Sequence, residues 1–97
     1  MEKKDEIQQL LGTYFKQKPV NKAFLFGSYA RGNADVNSDI DILVELDYTK
    51  PIGLEFVQMQ IELQNILHKK VDLVTLRGVS KRIMPLVEKD KVLIYAR

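Results

Sequence analysis

The sequence predicts a two-layer α+β fold in which helices pack against a small mixed β-sheet of about four strands. Helical and strand-like patterns alternate along the 97 residues, which is enough chain for one core and not for two. Two apolar runs, at 24–26 and 40–44, both read as strands, and two aspartates stand at the start of the second run. We therefore expect a single domain over residues 1–97.

The composition narrows the class of protein. Hydrophobic residues make up 45% and charged residues 29%, the usual balance of a globular domain. The net charge of +2 gives no reason to expect direct binding to nucleic acid, and the lack of cysteine excludes disulfides and thiolate metal sites. The N-terminal stretch MEKKDEIQQ is charged where a signal peptide is apolar, and no apolar run is long enough to span a membrane. We therefore expect a cytoplasmic protein without membrane association.

The first half of the chain predicts a helix, a strand, a short helix with a loop, and a second strand. The first helix is indicated by apolar residues at helical spacing, which are Ile7, Leu10, Leu11, Tyr14 and Phe15. The predicted bounds are 3–16 for this helix, 20–26 for the first strand, 28–38 for the short helix and its loop, and 39–46 for the second strand, with a turn over 47–53.

The second half predicts a helix, a strand, a helix and a strand. The longest helical pattern covers 54–67. One apolar line along it is formed by Leu54, Val57 and Ile61, and further apolar residues broaden this line, which are Met59, Leu63, Ile66 and Leu67. A third strand follows at 71–76. The last helix is expected from Ser80, as its cap, to about Lys89, with a kink at Pro85, and a short strand at 92–95 ends the chain.

Two acids at the start of the second strand indicate a metal site. Strand side chains alternate, so Asp39 and Asp41 project from one face about 6.5–7 Å apart along the strand. Two carboxylates this close repel each other and resist desolvation, so the pair favours a bound cation, and hard oxygen ligands with open positions select Mg²⁺ or Mn²⁺. Taken alone, such a pair is also typical of a solvated strand end.

The turn before these acids suits a phosphate. Gly27 ends a strand and allows close approach of the backbone, while Ser28 adds a hydroxyl to the backbone N–H groups that follow. The alternative is a plain tight turn in which Ser28 caps a helix. A phosphate turn and an acid pair on adjacent segments together describe a site for a metal-bound nucleoside triphosphate.

Two further groups of residues could serve that site. Asp72 lies among apolar residues of the third strand, where it is either an edge residue facing water or a general base for an attacking hydroxyl. A basic cluster follows that strand and consists of Arg77, Lys81 and Arg82. These side chains contact a triphosphate, contact the acids of a partner, or are solvated.

The stretch GSYARG followed by SDID resembles the minimal nucleotidyltransferases, small members of the DNA polymerase β-like nucleotidyltransferase superfamily. The shared pattern is Gly-Ser, ten residues, then Asp-x-Asp, and Gly27-Ser28 and Asp39-Ile40-Asp41 fit it without a gap. The resemblance implies that Asp39, Asp41 and Asp72 are catalytic carboxylates and metal ligands and that Gly27 and Ser28 bind the triphosphate. Arg31 matches an arginine of the motif that holds the turn or reaches a phosphate, and it could equally be a solvated surface residue.

The resemblance also implies a function. Minimal nucleotidyltransferases are often paired with a HEPN-domain toxin, and some silence it by transferring AMP from ATP to a tyrosine. We therefore expect a Mg²⁺-dependent (or Mn²⁺-dependent) adenylyltransferase that uses ATP and acts as an antitoxin, its acceptor surface coming from a HEPN partner or a second copy of the chain. Two alternatives stay open: a binding module that neutralises its partner by contact alone, and a nucleotidyltransferase of the aminoglycoside-modifying type.

Overall fold

The computed structural model describes residues 4–97, in which helices and strands alternate as the sequence predicts. The elements are α1 (Lys4–Phe15), β1 (Val20–Phe26), α2 (Gly27–Arg31), β2 (Ile40–Leu46), α3 (Glu55–Leu67), β3 (Val71–Thr75), α4 (Met84–Asp90) and β4 (Val92–Ala96). The predicted start of the first helix at Lys3 lies outside the described residues. No helix among residues 4–97 combines the length and the apolar character that crossing a membrane requires.

The four strands form one mixed sheet in the order β3-β2-β1-β4. β1 pairs antiparallel with both β2 and β4, whereas β2 and β3 run parallel because α3 carries the chain back between them. The predicted fold class is therefore confirmed. The crossover also confirms that the strand of Asp72 returns beside the strand of Asp41.

The core lies between one face of the sheet and the helices α1 and α3. Each helix contributes three residues with no exposed surface, which are Ile7, Leu11 and Phe15 of α1 and Met59, Leu63 and Leu67 of α3. Alternate residues of β2 join the same buried cluster, which includes Ile40, Ile42, Val44 and Leu46. Asp41 therefore projects from the opposite face of the sheet.

The structure shows which side of α3 is buried. The expected apolar line is largely exposed, at 82% for Leu54, 55% for Val57 and 49% for Ile61. Apolar residues surround most of this helix, so periodicity alone did not determine which line is buried. Packing on the sheet determines it, because Met59, Leu63 and Leu67 are the residues of this helix that are fully buried.

The start of the last helix corrects a prediction. α4 begins at Met84 rather than Ser80, and Pro85 stands in its first turn instead of kinking its interior. The first turn of a helix has no intrahelical acceptors for its N–H groups, so proline, which lacks an N–H, is well tolerated there. Ser80 instead caps a turn ahead of the helix, where its Oγ accepts the N–H of Ile83 at 3.3 Å.

Candidate active site

Three acids approach one another at the end of the sheet where β2 and β3 begin. Asp41 of β2 is aligned with Asp72 of β3 in the parallel register, so both carboxylates project from the face opposite the core. Asp39, predicted as the first residue of the strand, lies just before β2, which begins at Ile40. Asp41 is half-buried and Asp72 is exposed. The sheet register thus gathers the acids that are far apart in the sequence.

The surroundings of Asp41 disfavour its charge. Burial is the largest cause that raises the pKa of this carboxyl, and the negative charges of Asp72 and Asp39 raise it as well, so that the pKa is about 6. The guanidinium of Arg31 acts in the opposite direction and lowers the pKa. A partly desolvated carboxylate near two other carboxylates is stabilised by a cation. The electrostatics therefore suit a bound divalent metal.

Asp39 has a partner that the sequence did not suggest. Its Oδ2 lies 3.7 Å from Lys70 Nζ, and both side chains are well exposed, at 44% and 73%. An ion pair this exposed is weak, about 0–1 kcal/mol, so a stronger ligand can displace the lysine.

The donor set matches magnesium as nucleotide enzymes bind it. Among residues 4–97, no three acidic, histidine or cysteine side chains stand close enough together to form a complete cage for a metal ion. Mg²⁺ in such enzymes is bound by one or two carboxylates, with phosphate oxygens and water completing the octahedron. Asp41, together with Asp39 or Asp72, supplies the one or two carboxylates of that role.

Gly27 is in direct contact with the acid pair. Phe26 is paired with Asp41 across β1 and β2, so the turn after Phe26 lies against the Asp41 side chain. A Cβ added to Gly27 would lie 2.2 Å from Asp41 Oδ2, and the backbone φ of +74° is one that other residues rarely adopt. Both the space and the backbone require glycine at this position. The predicted phosphate turn and the predicted metal ligand are therefore parts of one site.

Ser28 is not the cap of the helix. α2 begins at Gly27, Phe26 occupies the cap position, and no side-chain hydrogen bond caps this end. The alternative in which Ser28 serves as a structural N-cap is therefore wrong.

Arg31 links two helices beside the acids. Its Nη1 lies 2.7 Å from Asp90 Oδ2 at the end of α4, and the side chains are 48% and 12% exposed. Arg31 is thus engaged in an ion pair rather than simply solvated, and it holds α2 to α4. Asp90 was missed by the sequence analysis, because an acid between two lysines at a helix end carries no signal of its partner 59 residues earlier.

Tyr29 serves the core, and Arg77 lies away from the acids. Tyr29 is 9% exposed and belongs to the hydrophobic core. His68 ends α3 in a left-handed conformation at φ 54° and is exposed. Arg77 stacks on the ring of Tyr48 at 3.8 Å and lines an open pocket of about 530 Å³. That pocket surrounds the end of β2 opposite Asp41, so Arg77 does not join the acid cluster.

Comparison with known proteins agrees with this geometry. The family described as "Polymerase beta, Nucleotidyltransferase" matches residues 7–97. A candidate protein adenylyltransferase of Methanocaldococcus jannaschii is 41% identical over 78 residues, which cover 76% of this chain and 90% of that protein. The protein adenylyltransferase MntA of Thermococcus cleftensis is 32% identical over 94 residues, covering 93% of this chain and 94% of the relative.

A solved structure shares the fold across nearly the whole chain. A toxin–antitoxin complex with AMP-PNP contains a chain that superposes with a TM-score of 0.73 at 27% identity, covering 96% of this chain and 74% of that one. The resemblance to nucleotidyltransferases that the spaced Gly-Ser and Asp-x-Asp motif indicates is confirmed by this match and by the family match. The chain belongs to the polymerase beta nucleotidyltransferase family.

Proposed function

We propose that this protein transfers AMP from ATP to a tyrosine hydroxyl of a partner protein, and that it acts in this way as an antitoxin toward a HEPN-domain toxin. The observation that carries the proposal is the contact between Gly27 and Asp41, because it joins a glycine turn open to phosphate with an acid that favours a cation. The names of its relatives, which include a protein adenylyltransferase and a chain from a toxin–antitoxin complex, support the choice of acceptor.

The acids have two tasks in this proposal, metal binding and general-base catalysis. Asp39 and Asp41, with Asp72 beside them, hold Mg²⁺, or Mn²⁺ in its place. The metal neutralises triphosphate charge and stabilises the attacking and leaving oxygens when it is bound. Gly27 and Ser28 present the backbone of the turn to the triphosphate, and Asp39 turns from Lys70 toward the site when the nucleotide arrives.

The reaction is an in-line displacement at the α-phosphorus of ATP. The tyrosine oxygen of the acceptor forms a bond to that phosphorus, and the bond between the phosphorus and the oxygen leading to the β-phosphate breaks. Pyrophosphate leaves with the bonding electron pair. Asp72, which is more exposed than Asp41 beside it, accepts the proton of the hydroxyl as a general base. The products are an O-adenylylated tyrosine and pyrophosphate.

Co-expression with the product of the neighbouring gene tests the proposal. The partner is purified and weighed by intact-mass spectrometry after expression with the wild type and with the Asp39→Ala/Asp41→Ala variant. We expect one or more added AMP groups with the wild type and none with the variant, and peptide mapping then identifies the modified tyrosine. The Asp5→Ala/Glu6→Ala variant, which removes two exposed acids of α1 on the other side of the sheet, is the matched control.

Neutralisation by contact alone would give a different result. In that case the partner would stay at its unmodified mass and would be bound and silenced equally well by the double variant. That outcome would exclude protein adenylylation by this chain.

A further inference from the structure

Lys70 stands next to the three acids, just before the third strand begins. Its carbonyl accepts the N–H of Ile40 at 3.0 Å, so the parallel pairing of β2 with β3 includes Lys70. Lys70 therefore lies beside Asp39, and its Nζ is 3.7 Å from Asp39 Oδ2. Two residues further along, Asp72 is aligned with Asp41. An acid–base pair and a pair of acids thus stand next to each other at this end of the sheet.

The amine of Lys70 is free to leave its ion pair. The side chains of Lys70 and Asp39 are 73% and 44% exposed, so packing holds neither of them in place. Side chains of residues i and i+2 on a strand project from the same face about 6.5–7 Å apart, which puts Lys70 and Asp72 on one face. Asp72 is itself exposed. Because lysine carries its charge on a long flexible stem, rotation of that stem can bring the amine over Asp72.

A metal ion at Asp39 would release this amine. An ion pair as exposed as this one is weak, and a divalent cation attracts the same carboxylate with twice the charge. The metal and the ammonium also repel each other, so they compete for the carboxylate. Binding of a metal-bound nucleotide therefore changes Lys70 from the counter-ion of Asp39 into a cation that is available beside Asp72.

The strand order places the amine on the side from which an acceptor must approach. β2 lies between β3 and β1, so Asp72 and the Gly27 turn are on opposite sides of Asp41. An in-line displacement needs its attacking and leaving oxygens on opposite sides of the phosphorus. With the triphosphate at the Gly27 turn, pyrophosphate leaves on the β1 side and the acceptor oxygen enters on the β3 side. Lys70 stands on the side of entry.

We propose that Lys70, released from Asp39 by the metal-bound nucleotide, donates a hydrogen bond to the attacking hydroxyl oxygen of the acceptor. The inference rests on the proposed function and specifies how the acceptor oxygen is held. An ammonium group has three N–H donors and no acceptor, so it binds a lone pair of that oxygen and leaves the hydroxyl proton to Asp72. Lys70 and Asp72 together form the acceptor half of the site.

The ammonium also stabilises the reacting oxygen. As the oxygen bonds to the α-phosphorus, its proton passes to Asp72, and the bond from the phosphorus to the leaving oxygen breaks. Lys70 keeps all of its own protons. Negative charge that develops on the attacking oxygen lies next to a fixed positive charge, which favours the transition state over the bound substrates.

Metal binding by the free protein gives a readout that needs no acceptor. Lys70→Gln removes the competing cation, so Mn²⁺ should bind about two- to fivefold more tightly than in the wild type, as measured by electron paramagnetic resonance. The matched control is Lys22→Gln, which removes the same charge from an exposed residue of β1 that is paired with Glu45. At about 0.15 M salt its distant charge is screened and its affinity should match the wild type. Weaker Mn²⁺ binding by Lys70→Gln would overturn the exchange.

Transfer kinetics test the role at the acceptor oxygen. With the acceptor identified under the proposed function, Lys70→Gln should lower kcat about tenfold or more, because a hydrogen bond from a charged donor is lost. Its KM for ATP should stay within about twofold of the wild-type value, since the amine does not hold the triphosphate. Lys70→Arg keeps a charged donor and should recover part of the loss, and Lys22→Gln should behave as the wild type. Tighter metal binding combined with slower transfer is a pattern that a damaged fold would not give.

Three outcomes would contradict the assignment. A kcat that is unchanged in Lys70→Gln, or a raised KM for ATP at that unchanged kcat, would overturn the role at the acceptor oxygen and leave the proposed function intact. A loss of kcat that Lys22→Gln shares equally would attribute it to net charge and would overturn the role as well. Absence of transfer by the wild type would overturn the proposed function itself, and this inference with it.

Discussion

Gly27 and Asp41 are in contact across the pairing of β1 with β2, and a side chain on Gly27 would displace the carboxyl of Asp41. A Cβ on Gly27 would lie 2.2 Å from Asp41 Oδ2, far inside any permitted contact. The turn that follows β1 is therefore fitted to the side chain that projects from β2. The geometry explains why a Gly-Ser turn and an acid pair are found together in one motif.

The substitution Gly27→Ala tests this contact, with Gly32→Ala as its control. Both glycines have a positive φ, of 74° and 81°, so alanine costs about 1–2 kcal/mol of backbone strain at either position. A Cβ on Gly32 meets nothing within 4 Å, whereas a Cβ on Gly27 displaces Asp41. We therefore expect Gly27→Ala to reduce the free energy of unfolding more than Gly32→Ala does, as measured by urea denaturation.

The same pair of variants should differ in ligand binding. Mg²⁺ and ATP together should raise the melting temperature of the wild type and of Gly32→Ala more than either ligand does alone. Gly27→Ala should lose that synergy. Equal behaviour of the two variants would show that the contact with Asp41 does not matter.

Asp41→Asn should stabilise the metal-free protein at neutral pH. The folded-state pKa of about 6 lies above the ordinary value of 3.8, so folding favours the protonated carboxyl. The penalty for ionisation is absent below about pH 4, grows between pH 4 and 6, and is complete above pH 6. At pH 7.5 in EDTA we expect asparagine to raise the free energy of unfolding by about 1–2 kcal/mol, allowing for partial solvation.

The control for this prediction is the same comparison at pH 4, where the gain should shrink toward zero. Urea denaturation at several pH values measures it. A gain that is as large at pH 4 as at pH 7.5 would mean that repulsion and burial of the Asp41 charge are not its cause.

The Arg31–Asp90 ion pair should position the nucleotide turn. Because Arg31 is bound to Asp90 at 2.7 Å and half-exposed, breaking the pair should cost at most about 1 kcal/mol of stability. Arg31→Ala and Asp90→Asn each release α2 from α4. We expect both to weaken ATP binding to a similar extent, as measured by calorimetry in the presence of Mg²⁺. Weakening by Arg31→Ala alone would instead show that the guanidinium binds a phosphate directly.

Asp47 should contribute to stability at neutral pH and lose that contribution in acid. Its Oδ2 accepts a hydrogen bond from Arg97 Nη1 at 2.8 Å, and its Oδ1 accepts the Thr49 N–H at 3.1 Å. Hydrogen bonds from Thr49, with help from Arg97, hold the pKa of this carboxyl below its ordinary value of 3.8. Folding therefore favours the ionised form, whose stabilisation is present above pH 3.8 and is lost as the pH falls below it.

The measurement is the melting temperature of Asp47→Asn against the wild type. The variant should melt lower at pH 7, and the two proteins should converge as the pH falls below 3.8. A difference that persists undiminished in acid would assign the effect to shape rather than to charge.

The strands and the acids could be predicted because they depend on local patterns. β1 has the predicted bounds of 20–26, and the alternation of side chains in β2 correctly separates Asp41 from the core. The spacing from Gly27-Ser28 to the acid pair indicated the family without any knowledge of contacts. Such signals survive in a single sequence because they come from backbone geometry over a few residues.

Contacts between distant segments could not be predicted in the same way. Lys70 beside Asp39 and Asp90 beside Arg31 depend on where β3 and α4 dock, and an isolated charged residue does not indicate its partner. The buried side of α3 could not be predicted for the same reason, since both sides of that helix are apolar and packing on the sheet decides which is buried.

The most direct test of a nucleotidyl-transfer site uses ATP labelled at the α- or the γ-phosphate. Purified protein and its acceptor are incubated with Mg²⁺ and each form of ATP, and label on the acceptor is counted for the wild type and for Asp41→Ala. The site described here predicts that the α-label alone is transferred, that pyrophosphate is released in equal amount, and that Asp41→Ala abolishes both. Transfer of the γ-label, or transfer of the α-label undiminished in Asp41→Ala, would contradict it.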